Sequence, residues 1–113
     1  MKAWIVSVGK GEYYDLDDGY PVITRVFDND TEAIKFAKNY LLEHADKEEM
    51  AIAALKTLFY ENYEPTNVEW GLDKRSNTPW AMVTCEGCDY YCIVEGWDVF
   101  HIYEEVIEHE TNV

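Results

Sequence analysis

Cys85, Cys88 and Cys92 come nearest to a chemistry by residue type and spacing. Cys85-Glu86-Gly87-Cys88 is a C-x-x-C on a tight turn, and two thiolates flanking a turn can share one tetrahedral zinc. Cys92 and His101 would complete a set of four ligands. Zinc ribbons bring two such knuckles, whereas this chain has one. Two readings stand beside the metal: small thiols packed on a hairpin, and a redox or disulfide role. A thioredoxin-like role fits least, because that C-x-x-C opens a helix and this one turns a hairpin.

Asp15-Leu16-Asp17-Asp18-Gly19 has the look of a calcium loop, but the spacing fails. An EF-hand places Gly sixth and a bidentate Glu twelfth. Counting from Asp15, the glycine here is fifth and the twelfth residue is Val26. A solvated hairpin tip is the plainer reading. His44, His101 and His109 have no local Ser or Asp framework, and no phosphate loop or dinucleotide fingerprint is present. No catalytic residues are expected, and the chain is read as a binding protein rather than an enzyme.

The charge balance says more. Nine Lys and Arg face 23 Asp and Glu, for a net charge of −14. From Ser76 onward there is no Lys or Arg at all. A nucleic-acid binder needs a basic footprint, and anionic lipid repels carboxylates, so direct binding to nucleic acid or membrane is excluded. Basic protein surfaces are favoured as partners. The carboxylates of the basic-free stretch are the candidate partner-binding residues: Glu86, Asp89, Glu95, Asp98, Glu104, Glu105 and Glu108. A duplex carries one negative charge per roughly 1.7 Å of axis, so rows of carboxylates on a compact domain can imitate nucleic acid. Solubility alone is the plainer role for the same charge.

A sequence with 15% aromatic residues, including four Trp and nine Tyr, can bury enough surface to fold. The length suits one domain spanning 1–113. No apolar run approaches the roughly 20 residues of a membrane span, and the first residues read as a strand rather than a signal peptide. A cytoplasmic location is expected, with the cysteines as thiols.

The expected fold is α+β: an antiparallel sheet of four to five strands with two helices packed on one face. Lys2–Val8 is apolar on both alternating faces and is expected to lie centrally. Val22–Phe27 follows as its hairpin partner beyond an acidic loop. Asn29 with Glu32, and Asp46 with Glu49, mark two helix starts. The first helix runs to His44. The second runs to about Tyr63, with Ala51, Ala54, Leu55, Leu58 and Phe59 inward and a sharp bend between the two. Val68-Glu69-Trp70 is at most a short strand, and Gly71 to Pro79 reads as loop around Lys74-Arg75. Trp80–Cys85 and Tyr90–Val94 form a second hairpin, with a bulge at Gly96. Trp97–Ile107 carries both helical and strand patterns, and strand is expected to about Tyr103.

The order of these elements resembles a loose group of small bacteriophage and prophage proteins of unknown function. The resemblance rests on Met1-Lys2-Ala3-Trp4-Ile5-Val6, Gly11-Glu12-Tyr13-Tyr14-Asp15, Val26-Phe27, Asp30-Thr31-Glu32-Ala33 and Val94-Glu95-Gly96-Trp97-Asp98-Val99. It covers about half the chain and departs at the second helix and the Trp70–Trp80 region, which look like an insertion. It implies a mobile-element origin and no catalytic residue. With the charge, it leads to the expectation of an accessory protein that inhibits a host nucleic-acid-handling defence factor of the CRISPR or restriction type. The alternative is a small structural or zinc-stabilised interaction domain. No cofactor is expected beyond that zinc candidate, and the chain is expected to be a monomer or homodimer.

Overall fold

The computed structural model describes residues 2–11 and 22–98. Along them run β1 (Lys2–Lys10), β2 (Ile23–Phe27), α1 (Asp30–His44), α2 (Lys47–Phe59), β3 (Thr66–Asp73), β4 (Thr78–Cys85) and β5 (Tyr90–Asp98). The five strands make one antiparallel sheet in the order β2-β1-β5-β4-β3, so the fold is α+β. The expected β1–β2 and β4–β5 hairpins both form. β1 lies inside the sheet as expected, paired on both sides, and β5 beside it is the middle strand, bridging the two hairpins along the whole of β1. The acidic loop of residues 12–21 and everything after Asp98, His101 included, lie outside the described residues.

Register sorts the side chains into two faces. Val6 lies opposite Val94, which lies opposite Ala81, and Val8 lies opposite Cys92, which lies opposite Val83. These residues are fully buried and form the core with Ala33, Ala37 and Leu41 of α1. Fully burying a Leu or Val side chain stabilises by roughly 1.5–3 kcal/mol, so this layer dominates the stability. Ala33 and Ala37 are small, which lets α1 lie close against the strands. The other face carries Ile5, Trp80, Met82, Tyr91 and Ile93; no described helix covers it, and most of these residues are half-buried, though Tyr91 is buried.

Both helix starts have local causes. Glu32 N donates to Asn29 Oδ1 at 2.8 Å, and Asp46 Oδ1 accepts from Glu48 N at 2.9 Å and Glu49 N at 3.1 Å. Ala45 is extended (φ −76°, ψ 154°), so the helices break apart at the expected bend. Acidic residues in each first turn face the positive end of the helix dipole.

Four expectations need correction. The region read as a loop is a full strand, β3, joined to β4 by a tight turn. Asp73 Oδ1 accepts from Arg75 N at 3.0 Å, and Asn77 takes a left-handed conformation (φ 56°), which Asn tolerates. Pro79 sits near the start of β4, just outside the Trp80–Val83 stretch paired with β5, where a missing donor is tolerated. Second, Gly96 makes no bulge: β1 and β5 pair residue for residue through it. A Cβ on Gly96 would stand 2.7 Å from the Trp4 ring, its cross-strand neighbour. Gly9 with Tyr91 and Gly71 with Trp80 repeat the arrangement, each glycine facing an aromatic residue in register. Third, α2 ends at Phe59, short of Tyr63. Fourth, its large apolar residues point outward: only Ala53 is buried, while Leu55, Leu58 and Phe59 are exposed.

Candidate functional site

Three chain segments converge on the β4–β5 turn, residues 86–89. Glu86 N donates to Pro65 O at 3.0 Å, Asp46 N to Gly87 O at 2.7 Å, and Gly11 N to Asp89 O at 2.7 Å. Gly87 takes φ +68°, and a Cβ there would stand 2.4 Å from Glu49 Cβ. The first turn of α2 is therefore seated directly on this turn. That contact brings the exposed Asp46, Glu48 and Glu49 beside the exposed Glu86 and Asp89. The end of the sheet so formed is an acidic pole. Val22 N also donates to Val8 O at 2.7 Å near this end.

Three lysines stand at this end, and the exposed Lys47 lies in the first turn of α2 between Asp46 and Glu48. Lys56 Nζ lies 3.7 Å from Glu86 and 5.6 Å from the Tyr63 ring centroid, and Lys10 Nζ lies 5.9 Å from that of Tyr90. Tyr63 donates a short hydrogen bond to the Glu86 carboxylate, and that bond pushes the phenol up to about 12. Lys74 and Arg75 occupy the β3–β4 turn, at the opposite end of β4. Beside the pole a cleft of about 580 Å³ opens between Lys10, Met82, Thr84, Cys88, Asp89 and Tyr91. Asp89 is the one carboxylate of its lining and Lys10 the one cation.

Only part of the expected carboxylate set comes together. Glu86 and Asp89 are in the pole. Glu95 is half-buried on the face away from α1, in register with Ile5 and Trp80. Asp98 ends β5 opposite Lys2, about 27 Å from Tyr90 at 3.4 Å per residue. Glu104, Glu105 and Glu108 lie outside the described residues. Asp46, Glu48 and Glu49 were legible in sequence only as helix-start residues. Their helix-capping pattern gave no sign that they would meet the distant turn.

Of the zinc candidates, Cys85, Cys88 and Cys92 are described and His101 lies outside the described residues. Among the described residues, no three His, Cys, Asp or Glu side chains are grouped to hold an ion. Cys85 and Cys92 are buried, Cys88 is half-buried, and all three are free. Cys92 donates toward Ala37 O at 3.9 Å on α1, and Cys85 toward Glu86 O at 3.5 Å. Burial pushes all three thiols up, Cys92 to about 12.

Around His44, the Tyr40 ring stacks at 4.2 Å and Tyr90 meets it edge-on at 5.2 Å, with Tyr40 O 2.8 Å from Nδ1. This histidine completes an aromatic row from Phe27 through Phe36 and Tyr40. No described helix is long and apolar enough to cross a membrane. Comparison with known proteins gives no match to any protein family, curated protein or solved structure.

Proposed function

We propose that this chain is a phage-type accessory protein that binds and inhibits a host nucleic-acid-handling defence protein, of the CRISPR-effector or restriction-enzyme kind. It acts inside the host cell by occupying a basic channel, as a mimic of nucleic acid, and not by catalysis. The observation that carries the reading is the acidic pole, where Asp46, Glu48, Glu49, Glu86 and Asp89 meet at one end of the sheet. The net charge of −14 adds to it. Carboxylates concentrated this way attract a basic surface and speed its encounter, more strongly at low salt.

Affinity capture from a bacterial host lysate at low and moderate salt tests the reading. The expected catch is a nucleic-acid-binding protein that competes with DNA or RNA for the bait and weakens as salt rises. Glu48→Lys with Asp89→Lys should reduce the catch, while Glu69→Lys, on β3 away from the pole, should not. Recovery of no basic or nucleic-acid-binding partner at either salt would sink the proposal. A second reading, a structural interaction domain without inhibitory role, draws on the exposed apolar residues of α2.

A further inference from the structure

At 100° per residue, Ala51, Ile52, Leu55, Leu58 and Phe59 fall within about 120° of arc on α2. Ala53, the buried residue of this helix, lies on the other side. The stripe therefore faces directly away from the body of the protein. Glu48 stands at its N-terminal end, and no charged residue interrupts it.

We infer that α2 is a self-association element, its outward stripe pairing with the same stripe of a second copy in antiparallel register about Leu55. Three observations single out a second copy. The first is area. Ile52, Leu55, Leu58 and Phe59 are 48%, 57%, 78% and 80% exposed. At roughly 200 Å² per fully exposed large side chain, that is about 500 Å² per copy. A symmetric pair would bury about 1,000 Å², where specific interfaces begin.

The second is shape. The stripe runs from small to large, with Ala51 at one end and Phe59 at the other. A two-fold axis at Leu55 sets Ala51 against the partner's Phe59 and Ile52 against the partner's Leu58. Parallel pairing would stack Phe59 on itself and leave a gap at Ala51. The third is charge. Antiparallel pairing holds the two acidic first turns about 20 Å apart along the helices, beyond the roughly 10 Å screening length at 0.1 M salt. Parallel pairing would superpose them.

The inference stands independently of which partner the acidic pole takes.

Sedimentation equilibrium of the full chain from about 1 to about 300 µM tests it, a range suited to the weak, transient pairing of small interfaces. The expected result is a monomer–dimer equilibrium that tightens as salt rises from low to moderate, because like-charge repulsion is screened. Leu55→Glu and, separately, Leu58→Lys should remain monomeric over the same range, with unchanged circular dichroism. Under mild oxidation, Leu55→Cys should form a covalent dimer that wild type and Phe59→Cys do not. A chain monomeric throughout, or a dimer that persists in both charge variants, would overturn the inference. A covalent Phe59→Cys dimer would overturn the antiparallel register.

Discussion

Two helices of similar length and composition follow one another in this chain, and they meet opposite fates. Each begins on a side-chain oxygen that caps its first turn, at Asn29 and at Asp46. Each carries an apolar stripe. In α1 the buried members are Ala33, Ala37 and Leu41, and they close over the sheet. In α2 the stripe is bulkier and points to solvent, while the helix is held through its first turn and Ala53. Periodicity therefore specifies that a helix has an apolar face, but not what that face will meet. Small residues favour close seating on strands, and large ones on the outward side leave a surface for another molecule.

Matched substitutions test this contrast most directly. Leu41→Ala should cost about 2–5 kcal/mol, because it opens a cavity in the fully buried layer under α1. Leu58→Ala, at concentrations where the chain is monomeric, should stay within about 0.5 kcal/mol. Urea unfolding of both variants checks the pair, and similar losses would erase the distinction.

The attachment of α2 can be broken next. Gly87→Ala should lower stability by about 1–2 kcal/mol, since its left-handed backbone resists a Cβ that would also press on Glu49. Hydrogen exchange should accelerate throughout α2 while α1 stays protected. Smaller again are the caps. Asn29→Ala and Asp46→Ala should each cost about 1 kcal/mol, read from thermal or urea unfolding. Asp46→Ala should weaken protection in α2 selectively.

The smallest effect is in alkali. The Tyr63 phenol ionises at about 12, above its ordinary 10.0, because it donates to Glu86. The fold's preference for the protonated phenol is intact below pH 10 and is lost as pH rises toward 12. Ultraviolet titration should show Tyr63 and the partly buried Tyr40 ionising later than the ordinary range, and Glu86→Ala should return only Tyr63.

Features set by neighbours in sequence were readable. Asn29 and Asp46 announce helices because a cap acts over two or three residues, and the β4–β5 turn is short. Features set by distant neighbours were hidden. Gly71 and Pro79 look like breakers, yet Gly71 makes room for the Trp80 ring and Pro79 lies at a strand's start. The acidic pole depends on Asp46 N reaching Gly87 O, a bond between residues far apart in the chain. Glu86 and Asp89 were singled out for lying in a stretch without cations. The same criterion also selected Glu95 and Asp98, which the strand carries elsewhere.

The glycine–aromatic pairs have an evolutionary consequence. Where strands are oily on both sides, as β1 and β5 are, polarity cannot tell a correct alignment from one shifted by a single step. Here contour makes the choice, with a flat ring resting in each notch like a key in its ward. Lineages of this protein should therefore alter Trp4 with Gly96, Tyr91 with Gly9, and Trp80 with Gly71 jointly, since changing one member alone would jam the lock or leave it loose.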